Sequence, residues 1–350
     1  MQKKVTVLSL SASLSLLSAA RSAFCFLGAM LFALSLPAEA QPSRKLVRIG
    51  YLGSSSGLTA GEKDFVEELR KRGWIEGQNL LIDRRYWENR VDRLLTQVDK
   101  LVSLKVDIIV TSTGTAAQAA KAATQAIPIV MVSSADAVTQ GLVISLARPG
   151  GNVTGLTTNS PFVTGKQLEL IKEAFPRVSR VAIVRCGTSR SRPLLGFPGL
   201  GKKQLSEAQD AARAQKIHLL LLDVVRGSGE IGGALEMVIR ERAEALLVSD
   251  CVTVPAEDII EFAAKSRLPA IYPLSHFVKK GGLMSYGADQ RESFRRAAQF
   301  VDKILKGANP AELPVEQPTK FELVINLKTA RQTGVTIPPE VLMWADEVIK

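Results

Sequence analysis

Residues 106–155 constrain the fold more than any other part of this chain. Residues 106–110 (VDIIV) form a short apolar run with β-branched members, the signature of a buried strand. Residues 111–115 are small and hydroxyl-rich around Gly114, and the Ala-rich stretch 116–125 favours a helix. Pro128 stops that helix, residues 129–132 read as a second buried strand, and Ser133, Ser134 and Asp136 follow it. Strand, small polar loop, helix, strand, small polar loop is the rhythm of a parallel α/β sheet. In such sheets ligands sit beyond the carboxyl ends of the strands, where both loops fall. The loops offer hydroxyls and flexible backbone but no nucleophile–base pair, which suits holding a molecule rather than cutting one.

The same alternation runs through the rest of the chain. Strands are expected at 46–53, 79–86 and 153–157, with helices at 61–72 and 91–102 between them. A second series begins near Pro161, with helices at 166–175, 204–215, 231–239 and 256–266 alternating with strands at 180–184, 217–222, 245–248 and 268–272. Alternating strands and helices imply parallel sheets with right-handed crossovers. A short strand at 282–287, a helix at 293–306, a Pro-containing connector at 308–318, a strand at 321–327 and a last helix from Pro338 to Ile349 break the simple two-part plan. Those elements can complete either half, so the chain is expected to cross between two lobes more than once, and such crossings form a hinge.

The first 40 residues stand apart. Lys3, Lys4 and Arg21 precede a 13-residue apolar run at 24–36, and Ala38-Glu39-Ala40 has the A-x-A form of a cleavage site. These are the parts of a secretory signal peptide, and the run is short for a membrane span. Its loss removes three cations and one anion from a chain of formal net charge +11, leaving a basic protein. The cations are scattered without aromatic interleaving, so the expectation is a solvated basic surface with no nucleic-acid partner. Two His and three Cys leave little material for a metal site, and no cofactor is implied. Cys186 and Cys251 remain after export, either as a bridge or as two buried thiols.

Enzyme signatures are thin. G-x-x-x-x-G-K-[ST] and H-E-x-x-H are missing from the sequence. His218 reads as a satisfied structural residue and His276 as surface. Binding signals are better. Ser112, Thr113 and Thr115 surround a helix start, which presents N–H groups suited to a carboxylate or phosphate. Ser54 and Ser55 follow the first strand, and Ser133 and Asp136 follow the fourth. Asp136 either binds an ammonium group or caps the next turn. Asp250, Tyr272 and Tyr286 end strands of the second half, where tyrosine offers a flat ring with a polar tip.

Several stretches carry a family resemblance: Arg48-Ile49-Gly50-Tyr51-Leu52, Gly73-Trp74-Ile75-Glu76-Gly77-Gln78-Asn79, Val106-Asp107-Ile108-Ile109-Val110, Gly141-Leu142-Val143, Ser145-Leu146-Ala147-Arg148-Pro149-Gly150-Gly151-Asn152-Val153-Thr154-Gly155, Leu268-Pro269-Ala270-Ile271-Tyr272 and Ala345-Asp346-Glu347-Val348-Ile349. On these residues the chain resembles the ABC-transporter substrate-binding proteins of the type I periplasmic-binding-protein fold, the group that includes tryptophan-binding proteins. The resemblance implies an α/β fold of two Rossmann-like lobes joined by a multi-strand hinge. It implies a first lobe of 46–158 plus about 288–318 and a second of 159–287 plus about 319–350. It implies a periplasmic receptor, not an enzyme, that closes on a small solute such as an amino acid or other carboxylate and delivers it to a membrane permease. A sensory ligand-binding protein and an exported α/β enzyme are the alternatives. Matching positions put Ser54, Ser112, Thr113, Thr115, Ser133 and Asp136 on the first lobe's cleft edge, and Asp250 and Tyr286 on the second lobe's edge or the hinge. After Val184 the family's usual Asn-Pro turn is replaced by Arg185-Cys186-Gly187 and a basic loop through Lys203.

Overall fold

The structure, a computed structural model, describes residues 46–158, 160–186, 202–224, 231–249 and 256–350. The expected leader, Asp250, Cys251 and most of the basic loop after Cys186 lie outside the described residues, as does the Cys186 side chain.

The first sheet takes β1 (Val47–Gly53), β2 (Leu80–Tyr86), β3 (Ile108–Thr111), β4 (Ile129–Met131) and β5 (Val153–Gly155) in the order β2-β1-β3-β4-β5. Every pairing is parallel. Such a sheet needs both faces covered, which explains its near-continuous apolar strands. On one face Ile49, Val110 and Val130 meet Phe65 and Leu69 of α1 (Ala60–Lys71). On the other, Leu52, Ile109 and Met131 meet Leu94, Val98 and Leu101 of α2 (Val91–Ser103) and Ala116 and Ala120 of α3 (Gly114–Ala123). The three-and-four spacing in α2 is what aligns its apolar stripe.

The second sheet has the order β12-β11-β10-β9-β8-β6-β7. Its strands are β6 (Arg180–Cys186), β7 (His218–Val224), β8 (Ala245–Val248), β9 (Ala270–Tyr272), β10 (Met284–Ala288), β11 (Phe321–Asn326) and β12 (Glu347–Ile349). Leu168 and Ile171 of α4 (Ser160–Ala174) and Ala212 of α5 (Lys202–Ala214) cover one face. Leu235 and Val238 of α6 (Ile231–Arg240) and Ile259 of α7 (Ala256–Lys265) cover the other, with Phe277 of the short α8 (Ser275–Lys279).

One long helix joins the first sheet from late in the chain. α9 (Gln290–Leu305) packs Phe294, Ala297 and Val301 into the same cluster as Ile49 and Phe65. The Trp74 indole N–H donates to Asp302 Oδ1 of α9 at 2.9 Å. The chain therefore passes between the sheets three times: after β5, after β10 and before β11. These passages touch. Leu156 and Glu316 form a parallel bridge, the Thr157 N–H donates to Glu316 O at 2.9 Å, and the Asp289 N–H donates to Lys320 O at 3.1 Å.

Four sequence expectations change. The second sheet is not wholly parallel, because β11 returns antiparallel to β10. The expected final helix is split into α11 (Pro339–Met343) and strand β12, after a further helix α10 (Leu327–Thr333). Backbone pairing decides this: the Asp346 N–H donates to Leu323 O at 2.9 Å, and its carboxylate accepts the Leu323 N–H at 2.8 Å, seating the chain beside β11. Tyr272 is buried against Phe277, with ring centroids 5.1 Å apart, because Cβ alternation turns it into the sheet's apolar face. His218 is exposed at the start of edge strand β7 rather than satisfied in the core.

Candidate functional site

Parallel register brings the carboxyl ends of β1, β3 and β4 to one edge of the first sheet. Three expected loops therefore lie together there. Ser54 and Ser55 follow β1, Ser112 to Thr115 follow β3, and Ser133 and Asp136 follow β4. The loops are tied to one another. The Ser54 N–H donates to Ser112 Oγ at 3.1 Å, and the Ser112 N–H to Leu52 O at 3.1 Å. The Ser55 hydroxyl donates to Gly57 O at 2.7 Å, closing the first loop on itself.

Thr113 is the N-cap of α3 and accepts the Ala116 N–H at 3.3 Å. Thr115 lies in the first turn and is buried. The positive end of the helix dipole is thus aimed at the sheet edge, which favours an anionic group there. Gly114 lets the loop after β4 come close, since a Cβ there would stand 2.6 Å from Gln140 Oε1. Ser134 donates to Gln140 Oε1 at 2.8 Å, and Gln118 Nε2 to Gln140 O at 3.0 Å.

Asp136 takes the capping role. Its Oδ1 accepts the Val138 and Thr139 N–H groups at 3.1 and 3.0 Å, and its Oδ2 the Thr139 hydroxyl at 2.7 Å. Ser133, two residues past β4, is partly exposed beside it.

On the second sheet Tyr286 is partly exposed near the end of β10. Its ring stacks on Phe321 at 5.9 Å, and Phe162 at the start of α4 lies 6.3 Å from Phe321. Gln167 of α4 donates to Tyr286 O at 2.8 Å. Arg185, from the unusual turn, pairs with Asp223 at 2.6 Å.

The sequence reading missed a buried polar cluster behind the first loop. Glu62 is buried beside Tyr86, whose ring meets that of Tyr51 edge-on at 6.3 Å. The Tyr86 hydroxyl donates to Glu62 Oε1 at 2.8 Å. Thr59 and Glu62 form a reciprocal capping box at the start of α1. Burial pushes the Glu62 carboxyl up, against the lowering effect of the Tyr86 and Thr59 hydrogen bonds. Tyr51 is pushed up by its own burial and by the Glu62 charge. The signal was present as Thr-x-x-Glu at 59–62, as Tyr51 within β1 and as Tyr86 ending β2. What the sheet edge presents is hydroxyls, a helix start and backbone donors.

A sequence profile described as ABC transporter substrate binding protein matches residues 51–349. A tyrosine-binding protein of Clostridioides difficile is 27% identical over 289 residues, which cover 82% of this chain and 80% of that protein. A conserved domain protein from Vibrio cholerae superposes with a TM-score of 0.76 at 27% identity, covering 87% of this chain and 100% of that one. An ABC domain in complex with L-Trp from Streptococcus pneumonia gives 0.74 at 26% identity, covering 87% and 99%. A leucine-binding protein from Thermotoga maritima, 10% identical with a TM-score of 0.53, shares the two-sheet type I periplasmic-binding fold. The match over residues 51–349 places the chain in the family of ABC transporter substrate-binding proteins, solute receptors that work outside the cytoplasm.

Proposed function

We propose that this protein is a periplasmic receptor, exported by a leader cleaved near Ala40, that closes two lobes on an aromatic amino acid or a related small carboxylate and delivers it to an ABC permease. The lobes are residues 46–158 with about 288–318, and 159–287 with about 319–350. The observation that carries the reading is the convergence of the β1, β3 and β4 loops on the start of α3, with hydroxyls and N–H groups in place of catalytic groups. The aromatic group of Tyr286, Phe321 and Phe162 supports an aromatic solute, as do relatives that bind tyrosine and L-Trp.

A solute touching both lobes shifts an open–closed equilibrium by its differential affinity for the closed state. A micromolar solute supplies about 8 kcal/mol in all. At a hundredfold excess over Kd it raises apparent stability by about 2.7 kcal/mol. The test is a thermal-shift series on residues 41–350 with L-tyrosine, L-tryptophan, L-phenylalanine, branched amino acids and simple organic acids. A saturable rise with an aromatic amino acid, recovered unmodified, is the expected result. Chemical conversion of the added compound would replace the receptor with an enzyme, and a rise only with non-aromatic acids would remove the aromatic class.

A further inference from the structure

Four strands of the second sheet start from turns that carry a cation. β9, β8, β6 and β7 are neighbours in that order and run parallel. Two or three residues before them stand Arg267, Arg242, Arg177 and Lys216. Register levels these turns, since Arg180 lies opposite His218 and Val181 opposite Ala245. The four residues therefore form a row along the amino edge of the sheet, spanning three strand spacings, about 14 Å. All four are exposed, and among the described residues none has a carboxylate partner. Acids near these turns are taken by other cations: Glu244 by Arg180 at 3.7 Å, Glu241 by Arg240 at 3.4 Å, Glu261 by Lys265 at 2.5 Å, and Asp210 by Arg213.

Three of the four sit where glycine is the usual residue. Lys216, Arg242 and Arg267 follow α5, α6 and α7 with φ of +54°, +53° and +52°. Each closes the same motif, in which the next N–H returns to the helix: Ile217 to Ala212 O, Ala243 to Val238 O and Leu268 to Ala263 O. A side chain at such φ strains the backbone, and glycine would relieve it. A helix C-terminus favours a cation, but that effect acts on every helix. On the first sheet the residues two or three before β2, β4 and β5 are Gly77 and Gln78, Ala126 and Ile127, and Gly150 and Gly151. Lys105, before β3, is the one cation there. The row belongs to the second sheet and is not a general feature of helix endings.

An apolar side chain stands with the row. Ile239 is 53% exposed near the end of α6, and its carbonyl accepts the Arg242 N–H at 3.0 Å. With Leu235 and Phe262 it lines a groove between α6 and α7. Long cations in a line, with an exposed aliphatic chain among them, match a plane of anionic headgroups above acyl chains. A purely acidic protein face would leave Ile239 uncovered.

We propose that the amino edge of the second sheet is a membrane-contact surface: Arg267, Arg242, Arg177 and Lys216 take the headgroups of anionic phospholipids, and Ile239 enters the acyl boundary. The contact holds a receptor that works outside the cytoplasm beside the bilayer. It does not depend on which solute the protein carries.

The test is sedimentation of the full mature chain with vesicles of phosphatidylcholine containing about a third phosphatidylglycerol, against phosphatidylcholine alone. Wild type is expected to sediment with the anionic vesicles only. Binding should fall steeply as salt rises to about 0.15 M, where the screening length is about 8 Å. A variant joining Arg177→Gln, Lys216→Gly, Arg242→Gly and Arg267→Gly should lose binding about tenfold or more. Glycine suits the backbone at its three positions, so the variant is expected to fold, and a thermal melt checks this. The control joins Lys63→Gln, Lys100→Gln, Arg148→Gln and Lys303→Gln, which removes the same charge from exposed positions around the first sheet. It should bind within about twofold of wild type, since what matters is proximity to the surface. Ile239→Ser should weaken binding severalfold. Wild type that stays in solution with anionic vesicles overturns the proposal and leaves the row to an acidic protein. Equal losses in the row variant and the control overturn it in favour of net charge alone. Binding unchanged in Ile239→Ser overturns the apolar contact.

Discussion

Asp289 and Lys320 form an ion pair of 2.9 Å between two of the three segments that pass from one sheet to the other. The same aspartate caps α9 by accepting the Glu292 N–H at 3.2 Å, so one buried carboxylate both starts a helix and ties a passage. Burial works to raise its pKa, but the Lys320 ammonium and the first N–H groups of α9 outweigh that and hold it below the usual carboxylate range. A carboxylate with a folded pKa below its unfolded one adds stability above the unfolded pKa and loses it as pH falls through the folded value. The wild type should therefore lose stability on acidification below the unfolded Asp value of about 3.9, and Asp289→Asn should flatten that acid limb. Lys320 is 63% exposed, so Lys320→Ala should melt near wild type, whereas Asp289→Ala should cost about 1–2 kcal/mol through the lost cap. Thermal melts from neutral pH into the acid range read both effects.

The contact of α1 with α9 is set by a missing side chain. A Cβ on Gly61 would stand 2.2 and 2.5 Å from the Phe294 ring, itself buried. Gly61→Ala gains about 1 kcal/mol of helix propensity but must push the helices apart, at about 1–3 kcal/mol. Net destabilisation in urea is expected, and adding Phe294→Leu should recover part of it. Equal stability of Gly61→Ala and wild type would mean the two helices separate freely.

Gly155 closes β5 with φ +125°, and a Cβ there would stand 2.2 Å from Met131 O. Backbone cannot yield as a side chain can, so Gly155→Ala should cost about 3 kcal/mol or more. Because Gly155 O also accepts the Glu316 N–H at 2.9 Å, amide exchange at Glu316 should rise in the same variant.

Thr113 and Asp136 separate binding from folding. Thr113→Ala loses the α3 cap and should cost about 1 kcal/mol without any solute, while Thr113→Ser keeps the cap. Asp136→Ala loses three hydrogen bonds in its own turn and should also lower the melting point by about 1 kcal/mol equivalent. Asp136→Asn keeps an acceptor for the Val138 and Thr139 N–H groups and should melt near wild type. Melts without solute, followed by calorimetry with L-tyrosine, distinguish a turn residue from a solute contact.

Much of this architecture was legible because it is local. Val91, Leu94, Leu95, Val98 and Leu101 announce α2 by spacing alone, and the small loop 111–115 before an Ala-rich run announces a strand-to-helix turn. Asn326 and Gly334 also marked α10, since one caps it and the other ends it at φ +74°, but the apolar run of β11 masked that signal. Periodicity could not show that residues 347–349 form a strand, because that depends on Leu323, more than twenty residues earlier in the chain.

The sequence by itself determined the alternating α/β plan, the small hydroxyl loops and the family, since these rest on residue types at short spacing. Tertiary structure alone decided that Asp136 caps its own turn, that Tyr272 is core, and that Glu62 is buried with the Tyr86 hydroxyl on it. Those are long-range facts: which donor finds which acceptor is fixed only when parallel register brings β1, β2 and β3 side by side. A polar side chain's role follows from the partners packing leaves it, and no local pattern records them.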